Sequence, residues 1–158
     1  AQAHLPEPID WLDCAAGDLE WHILLHKFYY AAGLGEAYHR TGDARYLQRW
    51  MSLTDSWIAA TPPGFIAADV TGRRIQNWIY AHHYFVTRNR PAGLCDRFYA
   101  RFLVSLHDQV EWLIGALAPA RNHRTLELYA VFLAATVFPE WRASARWRER
   151  ALDELSRG

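Results

Sequence analysis

Charge of one sign is missing from this 158-residue chain, in which 17 Lys and Arg stand against 17 Asp and Glu for a formal net charge of zero. That balance excludes the broad basic surface that a nucleic acid or an anionic membrane calls for, so any anion recognition must be local. Cysteine is scarce as well. Cys14 and Cys95 have neither the spacing of a zinc knuckle nor the density of a disulfide scaffold, and two thiols leave the redox compartment open. No apolar run approaches the roughly 20 residues of a membrane span, and the N-terminus lacks the basic-then-apolar layout of a signal peptide. The expectation is a soluble chain, or one whose export signal has been removed. Sustained two-residue alternation is also absent, which excludes a sheet and leaves an all-α class.

What the chain has is hydrophobic residues, about half of the total, and aromatics, 15% with eight tryptophans. That is enough for one domain with a real core. Wide gaps between helices account for most of the aromatic rings, and sugar rings also stack on Trp and Tyr faces. Trp21 and Trp78, with His26, are the candidate cleft residues.

Residues 1–18 carry Pro6, Pro8 and Gly17 without a sustained period and read as an extended lead-in. Helical spacing then predicts a first helix from Leu19 to Tyr38, closed by Thr41-Gly42-Asp43, which also caps a second helix from Ala44 to Ala59. Thr61-Pro62-Pro63-Gly64 stops that helix. Further helices are expected at about 71–87, 95–117 and 122–138, and from Pro139 to the end. Odd-numbered helices begin near Glu20, Thr71 and Asn122, a spacing of 51 residues each time. Three hairpins of one size follow from that register, stacked as an open solenoid or curved into an (α/α) toroid, of which three hairpins make about half.

The best candidate for chemistry is Arg121-Asn122-His123, between the breaker Pro119 and the apolar stretch Leu126 to Phe138. An amide and an imidazole at a helix mouth meet an anion together, helped by the positive end of the helix. Asn is equally at home there as a helix cap, and His as a solvated first-turn residue. Arg73, Arg74, Arg121 and Arg124 are candidate carboxylate or sulfate partners, since a guanidinium grips planar anions with two parallel bonds. Each is equally accounted for as a solvated or salt-bridged surface residue. His22 and His26 lie one turn apart, yet Ile23 stands where the zinc-protease motif needs Glu, so they read as packing or cleft residues and no metal is expected. His82 and His83 read the same way. Glu127 and Asp69 are the carboxylates available to a hydrolase, whose acid and base must stand about 5 to 9 Å apart.

Several runs together resemble one family: Trp21 to Tyr30, Leu34-Gly35-Glu36-Ala37-Tyr38, Thr41-Gly42-Asp43-Ala44-Arg45-Tyr46, Asp55-Ser56-Trp57-Ile58, and Asn122-His123 followed by Phe138-Pro139-Glu140. In this order they are similar to the N-terminal toroid domain of the heparinase II/III-like and alginate lyase family. The resemblance implies a polysaccharide lyase that cleaves uronic-acid glycans by β-elimination, without a cofactor, in the periplasm or outside the cell. It assigns Asn122 and His123 to the substrate carboxylate, and proton exchange to a Tyr on a later helix. That Tyr and a following β-sheet domain would lie beyond Gly158, so residues 1–158 are expected to be an incomplete toroid whose C-terminal remainder completes the site. Two positions depart from the family pattern: Arg121 stands where a second Asn is common, and Asp69-Val70-Thr71-Gly72-Arg73-Arg74 replaces an aromatic-Ser-acidic segment. The expected partner is an acidic polysaccharide. A noncatalytic glycan-binding or scaffold module and a toroid glycoside hydrolase are the alternatives.

Overall fold

The structure, a computed structural model, describes residues 5–14, 17–88, 90–119 and 122–157. Among them are seven α-helices and no strand: α1 (Leu19–Lys27), α2 (Tyr29–Thr41), α3 (Ala44–Ala60), α4 (Ala68–His82), α5 (Asp96–Gly115), α6 (Asn122–Val137) and α7 (Ser144–Arg157), with a π-helical turn, His83–Thr87, continuing α4. The all-α class expected from the sequence is what the chain forms. None of the described helices is long and apolar enough to cross a membrane.

Contacts between helices give their directions. Arg74 and Asn77 of α4 bond the carbonyls of His26 and Lys27 in α1, and Gln76 bonds the carbonyl of Leu126 in α6. Numbers rise together from one contact to the next, and they do so again from Asp69 near His123 to Tyr80 near Tyr129, so α1–α2, α4 and α6 run parallel, side by side. Trp78 meets both Phe102 and Trp57, while His82 meets Tyr99 and Phe85 meets Trp50. Here the numbers run opposite ways, so α3 and α5 lie antiparallel behind the first layer. The third outer helix, α7, packs on α6. Three hairpins in two layers result, and the core lies between the layers, built around Trp50, Trp57, Trp78, Phe85, Phe102 and Leu106. Most of the tryptophans therefore serve as wide spacers between helices.

Local signals set most boundaries. Asp18 caps α1 by accepting from the amides of Glu20 and Trp21, and Asp43 caps α3 by accepting from Arg45 N–H at 2.9 Å. Gly42 ends α2 at φ 68°, a left-handed conformation that costs glycine nothing. Elsewhere tertiary contacts prevail. The expected first helix breaks at Phe28, a non-glycine residue at φ 60°. Its ring is fully buried among Trp11, Trp57 and Trp78, while Arg74 and Asn77 take up the carbonyls freed at the end of α1. Those bonds and that burial offset the roughly 1–2 kcal/mol of left-handed strain. Pro139 does not begin the last helix: residues 139–143 form turns that stack Trp141 on Phe138, and α7 starts at Ser144.

Candidate functional site

The N-terminal turns of α4 and α6 lie next to each other, because the two helices are parallel and closely packed. Gly72 marks the contact: a Cβ there would sit at van der Waals distance, 3.4 Å, from the Glu127 backbone. The Gln76 amide donates to the Leu126 carbonyl at 3.2 Å and sets the register. Two helix ends thus bring their positive potential to one place, where a ligand anion would be favoured.

Asn122 opens α6 and is exposed. His123 is exposed too, its Nδ1 3.9 Å from Oδ2 of Asp69 in the first turn of α4. Arg73, one turn after Asp69, is half-buried and donates to Oε1 of Gln76. Farther along the same seam stand Tyr80 and Tyr129; partial burial and the Tyr129 hydroxyl hold the Tyr80 phenol above its ordinary range.

The other expected site residues do not join this group. Arg74 is fully buried with every guanidinium nitrogen bonded: Nε donates to Gln109, one amino nitrogen to the His26 carbonyl, and the other to the Pro63 carbonyl and Thr71 hydroxyl. Its guanidinium also lies over the Trp57 ring at 4.2 Å. Burial lowers its pKa to about 9, which leaves it cationic at neutral pH. It is a core residue and is not placed to touch a substrate.

His26 is corrected in the same way. Its Nε2 lies 3.0 Å from the Trp11 carbonyl and its Nδ1 accepts from the Trp57 indole at 2.9 Å, so both ring nitrogens are engaged. Burial, followed by the neighbouring His22 and Arg74, lowers its pKa to about 4 and keeps it neutral. Trp78 is wholly buried between Phe28, Trp57 and Phe102, so it is core and lines no cleft. Trp21 is partly buried against the core. Arg124 bonds the Ala118 carbonyl and Glu154 of α7, tying the start of α6 to its surroundings. Arg121 lies outside the described residues.

Glu127, one of the two carboxylates considered for hydrolysis, is buried and accepts from the Ala118 amide at 2.7 Å. It anchors the segment before α6. His82 is buried beside Tyr99, with its pKa lowered to about 4 by burial and then by His83. Among the described residues, no group of three or more His, Cys, Asp or Glu is placed to hold a metal ion. Two cavities, about 470 Å³ between α2, α3 and the lead-in and about 430 Å³ between α3 and α5, do not include the seam residues.

Residues 3–158 match the sequence pattern of the heparinase II/III N-terminus family. The chain belongs to the heparinase II/III family. It is 29% identical over 156 residues to a heparin-sulfate lyase of Pedobacter heparinus, covering 94% of this chain and 23% of that protein. A heparin-sulfate lyase of Bacteroides stercoris is 25% identical over 174 residues, covering 96% and 26%. The crystal structure of a heparan sulfate lyase from Pedobacter heparinus superposes with a TM-score of 0.85 at 26% identity, over 94% of this chain and 24% of that one. A crystal structure of heparinase III, at 20% identity and TM-score 0.86 over 99% and 25%, shares the fold. The heparinase II/III chain described here thus spans about a quarter of the length of the curated relatives it matches.

Sequence reasoning missed Gly72 and Gln76, and it considered Asp69 only for hydrolysis. The available signal was the Asp69, Arg73, Gln76, Tyr80 spacing, which marks one stripe of a helix.

Proposed function

We propose that this chain is the helical N-terminal part of a lyase that cleaves a uronic-acid glycan of the heparan sulfate type by β-elimination, with Asn122 and His123 meeting the substrate carboxylate. The observation that carries this reading is the exposed Asn-His pair at two adjoining helix N-termini, in a member of the heparinase II/III family. Part of the proposal is that a longer protein contributes the remaining groups, the proton-exchanging Tyr among them.

The chemistry accounts for the residue types. Elimination removes the proton at C5, forms the C4–C5 double bond and breaks the bond from C4 to the glycosidic oxygen, which leaves with a proton. The C5 proton is very weakly acidic while the adjacent carboxylate is ionised. A preorganised donor on that carboxylate stabilises the charge developing in the transition state, and one such donor is commonly worth about 3 kcal/mol. Asn122 donates without adding charge. His123 donates when protonated and accepts a proton when neutral.

The test is to incubate the longer protein containing this chain with heparan-type glycans and other polyuronates. Product absorbing in the ultraviolet as an unsaturated uronate is the expected result. New reducing ends without that absorbance would mean hydrolysis, for which the anchored Glu127 is poorly placed; binding with neither signal would mean a noncatalytic module.

A further inference from the structure

We infer that Asp69 is a positioning residue for His123: it holds Nδ1 as the N–H side of the imidazole, so that Nε2 is the nitrogen presented to a ligand at the mouth of α6. This rests on the reading of Asn122 and His123 as substrate contacts and names the ring nitrogen that His123 would use.

Three features of the seam support it. First, Oδ2 of Asp69 stands 3.9 Å from Nδ1 of His123, so that a closure of about 1 Å makes the carboxylate-to-imidazole hydrogen bond that fixes tautomer and ring orientation where histidines do chemistry. That separation is an electrostatic contact rather than a hydrogen bond, and contacts of this type are commonly long in unliganded sites and tighten when a ligand is bound. Second, the backbones carrying the two groups are held firmly. Gly72 seats α4 directly on Glu127, Gln76 locks the register to Leu126, and Glu127 and Arg124 clasp the Ala118 segment ahead of α6. Third, the two side chains come from first turns at the same end of parallel helices. Nδ1 is the ring nitrogen nearer the α4 carboxylate, which leaves Nε2 the freer one for a ligand approaching the mouth of α6.

An acidic residue in the first turn also steadies its own helix through the dipole. That role by itself leaves the His123 tautomer untouched, and this separates the two accounts. The imidazole nitrogens of residues 1–158 are read by 15N NMR at alkaline pH, where the ring is neutral, with His123→Gln assigning the His123 signals. The expected result is a mainly Nδ1–H ring in the parent chain that shifts to the Nε2–H form in Asp69→Ala and is largely restored in Asp69→Glu. In the longer protein, Asp69→Ala should lower kcat about tenfold or more with KM within about twofold, and Asp69→Glu should recover part of the loss. An Nε2–H ring in the parent chain, or a tautomer indifferent to Asp69, overturns the assignment whatever the kinetics. A tautomer shift with unchanged kcat, in a protein that His123→Ala inactivates, overturns the positioning role. Full activity in His123→Ala would remove the carboxylate-contact reading of that residue, while the NMR still decides whether Asp69 holds the ring.

Discussion

Arg73 and Arg74 are neighbours in sequence and opposite in circumstance. One step along a helix turns a side chain by about 100°, and that rotation carries Arg73 to the seam with α6 and Arg74 into the core under Trp57. The same contrast separates two histidines. His26 has both ring nitrogens engaged inside the protein, whereas His123 stands exposed at a helix end with a carboxylate on one side. In the buried region each guanidinium nitrogen of Arg74 bonds a carbonyl, an amide oxygen or a hydroxyl, so the group organises α1, α4 and the Pro63 loop. In the seam, Asn122 and His123 are exposed. Saturated polar groups stabilise a fold and unsaturated exposed ones are available for chemistry.

The largest effect expected from breaking the buried side of this contrast comes from Arg74→Leu. It strands the His26 and Pro63 carbonyls and the Gln109 side chain, each unpaired buried group costing about 1 to 3 kcal/mol. A loss of about 3 to 5 kcal/mol in urea unfolding is expected, a large part of the 5–15 kcal/mol typical of a domain. An unchanged midpoint would show that Arg74 is not a structural group.

On the open side, Asn122→Ala and His123→Ala should each lower turnover of the longer protein by about two orders of magnitude or more while changing stability by no more than about 1 to 2 kcal/mol. Steady-state kinetics alongside thermal melting checks both halves. Near-normal turnover with earlier melting would make the pair structural and erase the contrast with His26.

Acid should expose the buried histidines. The pKa values of His26 and His82 are lowered from 6.5 to about 4, so the unfolded chain binds more protons between those values. Stability is therefore full above about pH 6.5 and falls as the pH drops toward 4, with a slope approaching about 1.4 kcal/mol per pH unit for each group. Denaturant unfolding between pH 7 and 5 measures it, above the range where carboxylates dominate; a flat profile would mean that these rings are accessible to protons when folded.

The smallest effect sharpens the contrast between the two arginines. Arg73→Leu loses one half-buried bond to Gln76 and should change stability by less than about 1 kcal/mol. A loss comparable to that of Arg74→Leu would place Arg73 in the fold's support as well.

While the even 51-residue spacing expected between helix starts became 49 and 54, from Leu19 to Ala68 to Asn122, the sequence by itself determined the all-α class, the caps at Asp43 and Gly42, and the position of Asn122-His123 at a helix mouth. These are local properties, since apolar spacing, capping side chains and breakers act within a few residues of one another. Tertiary structure decided the rest. The break at Phe28 exists because distant side chains receive the carbonyls it frees, and no signal within ten residues encodes that. Whether Trp78 or His26 would line a cleft or fill the core depended on what α3 and α5 place behind α1 and α4. The meeting of Asp69 with His123, 54 positions apart, required α4 and α6 to pack in parallel over Gly72. A sequence states which side chains share a face of a helix, but the direction that face points is set by the neighbouring helices against which it buries apolar surface.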